Sequence, residues 1–324
     1  MKNLGEFEAG DNILSLKWSR DAAKLLVTPS TGDILVAGLE ECSVKERFSG
    51  HGMGNGSSDW FQGEPVTCGF DGKVRRAGKE WAPGRGMIDR VKSNCDDSLF
   101  AVAQNRRLHV LNGANEPLYM IDLPASAADF GWSPTQAGEI ATAGAGGACL
   151  WRVGEDNPFA RFDWGGACLG VEWSADGRWL ATADQTPSVH VYDIPRDHPL
   201  HIQGFEGKVR TMAFSPDSKR LATAGSPVVT VWPCKGKKGP EGATPIQVDG
   251  SESEVLAVAF SPKTGQLATG DGKGTLLVVS FESGQFRRKR TRLTSGIASL
   301  AWHPLLPLLA IGHDNGNVMF LSME

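Results

Sequence analysis

The chain has 324 residues, and its 33 Lys and Arg against 37 Asp and Glu give a formal net charge of −4. This slight acidity gives no global reason to expect binding to nucleic acid or to an anionic membrane. Its 40 glycines, with only 2 tyrosines, favour β structure rich in tight turns.

The ends and the cysteines point to an intracellular environment. Residues 1–10 are polar, so no signal peptide is expected, and no apolar run reaches 18 residues, so no membrane span is expected. The six cysteines form no Cys-x-x-Cys pair. Cys149 and Cys168, which lie in apolar strand patterns, are predicted to be reduced thiols of the core, and the protein is predicted to be cytoplasmic.

An aromatic residue, a tight turn and a short apolar strand recur along the chain. The aromatic residues are Trp18, Trp132, Trp173, Phe214, Phe260 and Trp302. From Trp132 onward they are 41, 41, 46 and 42 residues apart. Strands such as Leu180-Ala181-Thr182-Ala183 and Leu221-Ala222-Thr223-Ala224 follow. This period, made of strand-sized pieces, predicts an all-β propeller.

The number of repeats depends on the region between Trp18 and Trp132. Residues 65–76 read as two strands around an Asp71-Gly72 turn, and residues 87–111 read as three further strands. First strands near residues 14, 58, 87, 127, 168, 209, 255 and 297 give eight repeats of about 40 residues. The sequence predicts eight four-stranded blades; seven blades with one large insertion is the alternative.

The last repeat, residues 297–322, lacks a fourth strand. Residues 3–8 resemble the other fourth strands, so we expect them to complete the last blade and to cover an edge that would otherwise promote aggregation. This predicts one domain over residues 1–324, acting as a monomer.

These recurring aromatic–turn–strand segments resemble those of the WD-repeat β-propeller family. Gly50-His51 matches the Gly-His of that family, while Tyr192-Asp193, Trp151-Arg152 and Trp232-Pro233 are imperfect versions of its Trp-Asp. The resemblance implies a buried hydrogen-bonded set of His51, Thr67 and Asp71, with Arg76 where Trp is usual. It also implies the pairs Thr142 with Trp151 and Thr223 with Trp232, without the Asp.

No motif for catalysis, cofactor or metal binding is found. Gly144-Ala145-Gly146-Gly147 is not a dinucleotide fingerprint, and residues 271–275 read as a hairpin turn rather than as a phosphate loop. His198 and His201 lie beside Asp197 in a proline-flanked segment, which we interpret as a solvated loop. No catalytic residue, cofactor or metal is therefore predicted.

The strongest charge feature is the segment 286–292, in which Arg288, Arg290 and Arg292 share one strand face. The simpler interpretation is a charged edge that blocks strand addition. The alternative is a docking strip for an anionic partner, to which the basic loop 235–238 would add.

In WD-repeat proteins, partners usually dock on the face made by the turns before the first strands and between the second and third strands. Carried over, this implies Trp60, Arg106, Gln185, Lys208, Lys273, His313 and Asp314, with Trp60 and Arg106 as the first anchors. The function predicted is a non-catalytic scaffold for a partner protein or peptide. The alternative is an enzyme or ligand binder using the central channel, where Asp59, Asp89, Asp129 and Glu254 are the nearest carboxylates.

Overall fold

The computed structural model describes residues 1–282 and 285–324, which fold into strands and turns, with one 3-10 helix at Ile194–Arg196. The strands follow one another in this chain order: β1 (Lys2–Glu8), β2 (Ile13–Trp18), β3 (Lys24–Pro29), β4 (Ile34–Gly38), β5 (Ser43–Phe48), β6 (Asn55–Phe61), β7 (Glu64–Gly69), β8 (Val74–Arg76), β9 (Lys79–Trp81), β10 (Arg90–Ser93), β11 (Phe100–Gln104), β12 (Arg107–Leu111), β13 (Pro117–Asp122), β14 (Ala127–Trp132), β15 (Glu139–Arg152), β16 (Ala160–Trp173), β17 (Trp179–Asp184), β18 (Ser188–Asp193), β19 (His198–Gln203), β20 (Thr211–Phe214), β21 (Arg220–Ala224), β22 (Val229–Pro233), β23 (Ile246–Val248), β24 (Val255–Phe260), β25 (Leu267–Asp271), β26 (Thr275–Glu282), β27 (Gln285–Arg292), β28 (Ile297–Trp302), β29 (Leu308–His313) and β30 (Asn317–Ser322).

The chain divides into two compact units. Unit 1 comprises Met1–Gly50 and Val209–Glu324, and holds four sheets of four strands: β2 to β5, β20 to β23, β24 to β27, and β28 to β30 with β1. Unit 2 comprises His51–Lys208, and holds the four-stranded sheets β6 to β9 and β10 to β13 and a six-stranded sheet, β14 to β19. Neighbouring strands are antiparallel, so short turns connect them.

The described residues therefore form seven sheets, and the prediction of eight separate blades is corrected to that number. Two of the predicted repeats, over residues 127–203, share the six-stranded sheet. Strand β15 folds back on itself, since the N–H of Val153 donates to the C=O of Gly138 at 2.9 Å. Ala145 then pairs with Ala167, which joins the two repeats through β15 and β16. The alternative number of seven is correct, but a shared sheet and not an insertion is the reason.

Glycine permits this close joining. Gly147 has a φ of 120°, and a Cβ added there would lie 2.0 Å from the C=O oxygen of Phe162. Any side chain at this position would separate the strands. The glycine-rich segment 144–147 is thus the tip of a hairpin.

The N-terminal strand completes the last sheet, as predicted. β1 pairs antiparallel with β30 from Lys2 opposite Ser322 to Glu8 opposite Asn317, with an irregularity between Asn3 and Gly5. β30 is thereby paired on both sides, since β29 is its other neighbour. This pairing covers a strand edge that would otherwise be open to a second chain.

The repeated aromatic residues end the first strands and connect neighbouring repeats. The indole N–H of Trp173 donates to Gly131 O at 3.1 Å, on the first strand of the preceding repeat in the same sheet, and that of Trp132 donates to Lys92 O at 2.8 Å in the sheet before. Trp302 does the same to Ala259 at 3.0 Å. Because a buried indole needs one acceptor, each tryptophan fixes the spacing between successive first strands.

The turn after the aromatic residue is held by its own side chains. Ser174 Oγ donates to Asp176 Oδ1 at 2.6 Å and accepts the backbone N–H of Trp179 at 2.8 Å. The same two contacts recur in the turns that begin at Ser19 and Ser215. The Ser-x-Asp sequence therefore sets the turn locally, before any packing.

The core lies on the second and third strands, whose residues are buried on both faces, as the fully buried β17 and β18 illustrate. All six cysteines are free thiols. Cys149 and Cys168 are buried, as predicted; Cys68 and Cys234 are buried as well, whereas Cys95 is exposed and Cys42 is half-buried. No helix in the described part of the chain has the length and apolarity needed to cross a bilayer.

Candidate functional site

In unit 2, the turns between second and third strands pack against the segments that lead into the first strands. The N–H of Phe70 donates to Gly54 O at 3.0 Å, and the N–H of Ile88 donates to Gly69 O at 3.1 Å. The amide of Gln104 donates to Gly86 O at 2.9 Å. These bonds join the segments around residues 53, 70, 87 and 105 into one edge with a fixed backbone.

Three large apolar side chains are exposed along this edge. Met53 is 71% exposed, Met87 is 61% exposed and Phe70 is 37% exposed. Arg106 is also exposed, and its Nε–H donates to Leu123 O at 3.2 Å. We call Met53, Phe70, Met87 and Arg106 the turn surface. An apolar cluster flanked by a cation is typical of a binding surface.

A buried hydrogen-bonded set supports the turn surface from below. Nδ1 of His51 lies 2.7 Å from Asp71 Oδ1, and Nε2 lies 3.1 Å from Thr67 Oγ1. Since a carboxylate only accepts, Nδ1–H donates to Asp71 and Nε2 accepts from the Thr67 hydroxyl. The structure thus brings together the three residues that the family resemblance implied. Gly69 makes room for them, because a Cβ there would lie 2.2 Å from the His51 side chain.

The electrostatics of this set keep the histidine neutral. Burial lowers the pKa of His51, against the hydrogen bond to Asp71, which raises it. Burial opposes ionisation of Asp71, but its hydrogen bond with His51 and the charge of Arg75 outweigh this and lower its pKa. Arg75 Nη2 lies 3.0 Å from Asp71 Oδ2. The result is an ionised carboxylate between a neutral imidazole and a guanidinium.

Arg76 occupies the position at which the family carries Trp. It is buried, its Nη1–H donates to Gly113 O at 2.7 Å, and its guanidinium lies 4.7 Å from the centre of the Phe61 ring. In the six-stranded sheet the expected pair is present, as the indole of Trp151 donates to Thr142 Oγ1 at 2.9 Å. The indole of Trp232 likewise donates to Thr223 Oγ1 at 3.1 Å in unit 1.

Two of the predicted partner-binding residues, Trp60 and His313, are buried, which corrects the prediction of Trp60 as an exposed anchor. Trp60 is 5% exposed, because it lies next to the end of β6, opposite Pro65, and corresponds to Trp18 of β2, which lies opposite Leu25. His313 is 2% exposed, and its Nδ1 lies 3.2 Å from Gly296 O. Neither side chain is available for a first contact with a partner.

The other predicted positions are exposed and lie in separate turns. Arg106 and Gln185 follow second strands of unit 2, and Lys208 lies in the segment before β20. Lys273 and Asp314 occupy the corresponding turns of unit 1. Of these residues, Arg106 follows β11 two residues after Gln104, whose amide donates to Gly86 O in the segment of Met87.

The basic strip is largely neutralised within unit 1. Arg288 forms an ion pair with Asp249. Arg290 and Arg292 both pair with Glu252, the latter at 2.5 Å. Because three guanidinium groups already face two carboxylates, the strip offers a weaker attraction to an anionic partner than its sequence suggests. The charged-edge interpretation is the better supported one.

The carboxylates of the channel alternative are each engaged by groups of their own unit. Asp59 accepts the N–H of Ser93 at 2.9 Å, and Asp89 lies 3.8 Å from Arg90. Asp129 pairs with Lys92 at 2.9 Å, and Glu254 pairs with Arg210 in unit 1. Asp89 and Asp129 share Arg90, whose Nε lies 3.7 Å from Asp129 Oδ1.

Asp271, the first residue of the predicted hairpin turn, is buried. Its Oδ1 accepts the N–H groups of Lys273 and Thr275 at 2.9 and 2.7 Å, and Oδ2 accepts that of Glu252 at 2.7 Å. Burial opposes its ionisation, but these hydrogen bonds outweigh it and lower the pKa of Asp271. The backbone donors of this turn are thus used by a side chain of the turn itself, which fits a hairpin and leaves no cradle for a phosphate.

His201 does not lie on a solvated loop, which corrects that prediction. It is half-buried on β19, directly opposite His190 on β18, and the two imidazoles stack at 4.2 Å. Asp184 lies beside them, and among the described residues these three form a group with metal-ligating spacing. The sequence could not show this, because the partner of His201 is eleven residues away and is set by the register of the hairpin.

Sequence reasoning missed Met53, Phe70 and Met87. The signal was present, because large apolar residues stand in glycine-rich segments, 50–56, 69–72 and 84–88, where turns normally carry polar side chains. Such residues have no place in a core when their backbone forms turns on an edge.

Comparison with known proteins agrees with this architecture. The family described as "WD domain, G-beta repeat" matches residues 198–232, which run from β19 through β22. The crystal structure of the computationally designed Ika8 protein is similar with a TM-score of 0.80, at 16% sequence identity, over 98% of this chain and 98% of that one. No curated protein matches the sequence. The match at residues 198–232 and the four-stranded antiparallel sheets support a β-propeller of the WD-repeat type.

Proposed function

We propose that the protein is a non-catalytic scaffold that binds a partner protein or peptide through the turn surface of unit 2. The observation that carries the proposal is the exposure of Met53, Phe70 and Met87 on adjacent, hydrogen-bonded turns. Propellers of the WD-repeat type are commonly scaffolds for protein interactions, which agrees with this function.

The physical argument is that exposed apolar area is a liability unless a partner covers it. Burying apolar surface contributes about 25 cal/mol per Å², and methionine adapts its shape to different partners. The backbone bonds below the turn surface keep these side chains in place before binding, so less entropy is lost on association. Arg106, in the turn that Gln104 bonds to the segment of Met87, favours a ligand that combines an apolar side chain with a carboxylate.

The test compares two sets of substitutions in unit 2. The variant Met53→Ser/Phe70→Ser/Met87→Ser removes the apolar part of the turn surface, and Leu118→Ser/Met120→Ser removes exposed apolar residues of β13 as a matched control. Tagged proteins are purified from the native host, and the co-purifying proteins are quantified by mass spectrometry. Circular dichroism and the Tm check that both variants fold.

We expect partners of the unsubstituted protein to be retained by the β13 variant and lost by the turn-surface variant. Retention of the same partners by a folded turn-surface variant would contradict the proposal, as would equal loss in both variants. A folded Arg106→Ala variant is expected to weaken the same interactions without abolishing them.

The monomeric state, the single domain and the cytoplasmic location stay predictions. Sedimentation equilibrium of the full chain tests the first, a single cooperative unfolding transition tests the second, and imaging of the tagged protein tests the third. A partner bound on the turn surface is compatible with all three.

A further inference from the structure

Three ligand-type side chains of unit 2 converge on the last two strands of the six-stranded sheet. Asp184 ends β17, His190 lies in β18 and His201 lies in β19. One ligating atom of each lies within 4.8 Å of the others. Nδ1 of His190 is 2.9 Å from Oδ2 of Asp184.

The hydrogen bonds of this group are incomplete. His190 is only 7% exposed, and its Nδ1 is a buried atom without a hydrogen bond of acceptable geometry, although Asp184 is close. Asp184 is fully buried, and its Oδ2 accepts from Ser188 Oγ at 2.7 Å. Its Oδ1 lies 3.4 Å from the Cys168 thiol. Asp184 thus accepts hydrogen bonds only from neutral donors and lies next to an imidazole nitrogen without a hydrogen bond. Burying these groups costs free energy that a bound cation would offset.

We propose that Asp184, His190 and His201 form a Zn²⁺ site. Imidazole and carboxylate are ligands that zinc accepts, at distances of about 2.0 to 2.2 Å. Tetrahedral geometry at such distances separates neighbouring ligand atoms by about 3.3 Å, close to the spacing between Asp184 and His190. The imidazole of His201 stacks parallel on that of His190, so His201 must change its side-chain rotamer to turn a nitrogen toward the ion; solvent occupies the fourth position.

The surroundings suit a metal site. Trp164 packs edge-on against His190 and His201, with ring centres 4.6 and 4.8 Å away, and so shields both imidazoles. The amide group of Gln203 lies 3.1 Å from Nδ1 of His201; with its oxygen turned toward the ring it accepts the Nδ1–H and leaves Nε2 for the metal. A partly apolar shell and an orienting amide are what outer-shell residues supply to zinc ligands. The half-exposed His201 also gives the ion a route from solvent.

The experiment is a titration of EDTA-treated full-length protein with ZnCl2, in which isothermal titration calorimetry measures the heat of binding. A Cys95→Ser background removes the exposed thiol, which binds zinc by itself. His201→Ala is the test variant, since this residue is half-exposed and its truncation leaves the core intact. His198→Ala is the matched control, because it lies on the same strand and faces the opposite side.

We expect one equivalent of zinc to bind and to raise the Tm. His201→Ala should weaken binding about tenfold or more, and His198→Ala should leave it unchanged. Substitution with Co²⁺ should give visible absorption bands of a four-coordinate ion that His201→Ala abolishes. Absence of binding at millimolar zinc, or equal affinity in the two folded histidine variants, would overturn the proposal.

Discussion

Replacing Glu172 by glutamine should change how the stability of the protein depends on pH. Glu172 lies in β16 and burial raises its pKa to about 7 from 4.5; Lys92 opposes the rise and Asp129 adds to it. The folded state keeps this proton to a higher pH than the unfolded state. The contribution of Glu172 to the free energy of unfolding is therefore greatest below pH 4.5 and falls as the pH rises to about 7. Above that pH the loss is complete.

The magnitude follows from the difference between the two pKa values. About 2.5 pH units at 1.36 kcal/mol each gives roughly 3 kcal/mol as an upper limit. Glu172 keeps some contact with solvent, which screens the charge and reduces the loss to about 1–2 kcal/mol. Glu172→Gln abolishes the titration, so the variant should gain this stability at pH 8 and not at pH 4.5.

Urea denaturation at several pH values between 4.5 and 8 measures this effect. The free energy of unfolding of Glu172→Gln minus that of the unsubstituted protein should increase with pH across this range. Glu116→Gln, at an exposed position, is the control and should show a constant difference. A pH-independent difference for Glu172→Gln would refute the reasoning, because it would mean that Glu172 titrates alike in the folded and unfolded chain.

Three further outcomes are expected. Trp151→Phe should lower the free energy of unfolding by about 1–2 kcal/mol, because the Thr142 hydroxyl loses its donor; an equal cost in a Thr142→Val background would contradict this. Deletion of residues 1–10 should cause aggregation measurable by light scattering, since β30 loses its partner; a soluble deletion with an unchanged Tm would show that the pairing is dispensable. Asp249→Ala/Glu252→Ala should increase the salt concentration needed for elution from heparin, because it frees the arginines of β27; unchanged elution would mean that these ion pairs do not mask the strip.

Local sequence was sufficient for much of the fold. The Ser-x-Asp turn after Trp173 forms through contacts within five residues, and such turns are therefore readable without any knowledge of packing. The set of His51, Thr67 and Asp71 was also predictable, since a family motif places all three. Trp60 was not recognised as one of the repeated aromatic residues, because a Gln62-Gly63 hairpin turn follows it in place of Ser-x-Asp.

The sequence by itself determined the all-β repeat, the order of its strands and the pairing of the first strand with the last. Strand periodicity and turn formation depend on residues that are close in sequence, so both can be predicted from the sequence. Only the tertiary structure decided that Trp60 is buried, that two repeats share one sheet, and that Asp249 and Glu252 neutralise the arginines of β27. It also decided that His201 meets His190 and Asp184. These outcomes depend on register and on packing between strands that are distant in sequence, and no local pattern specifies either.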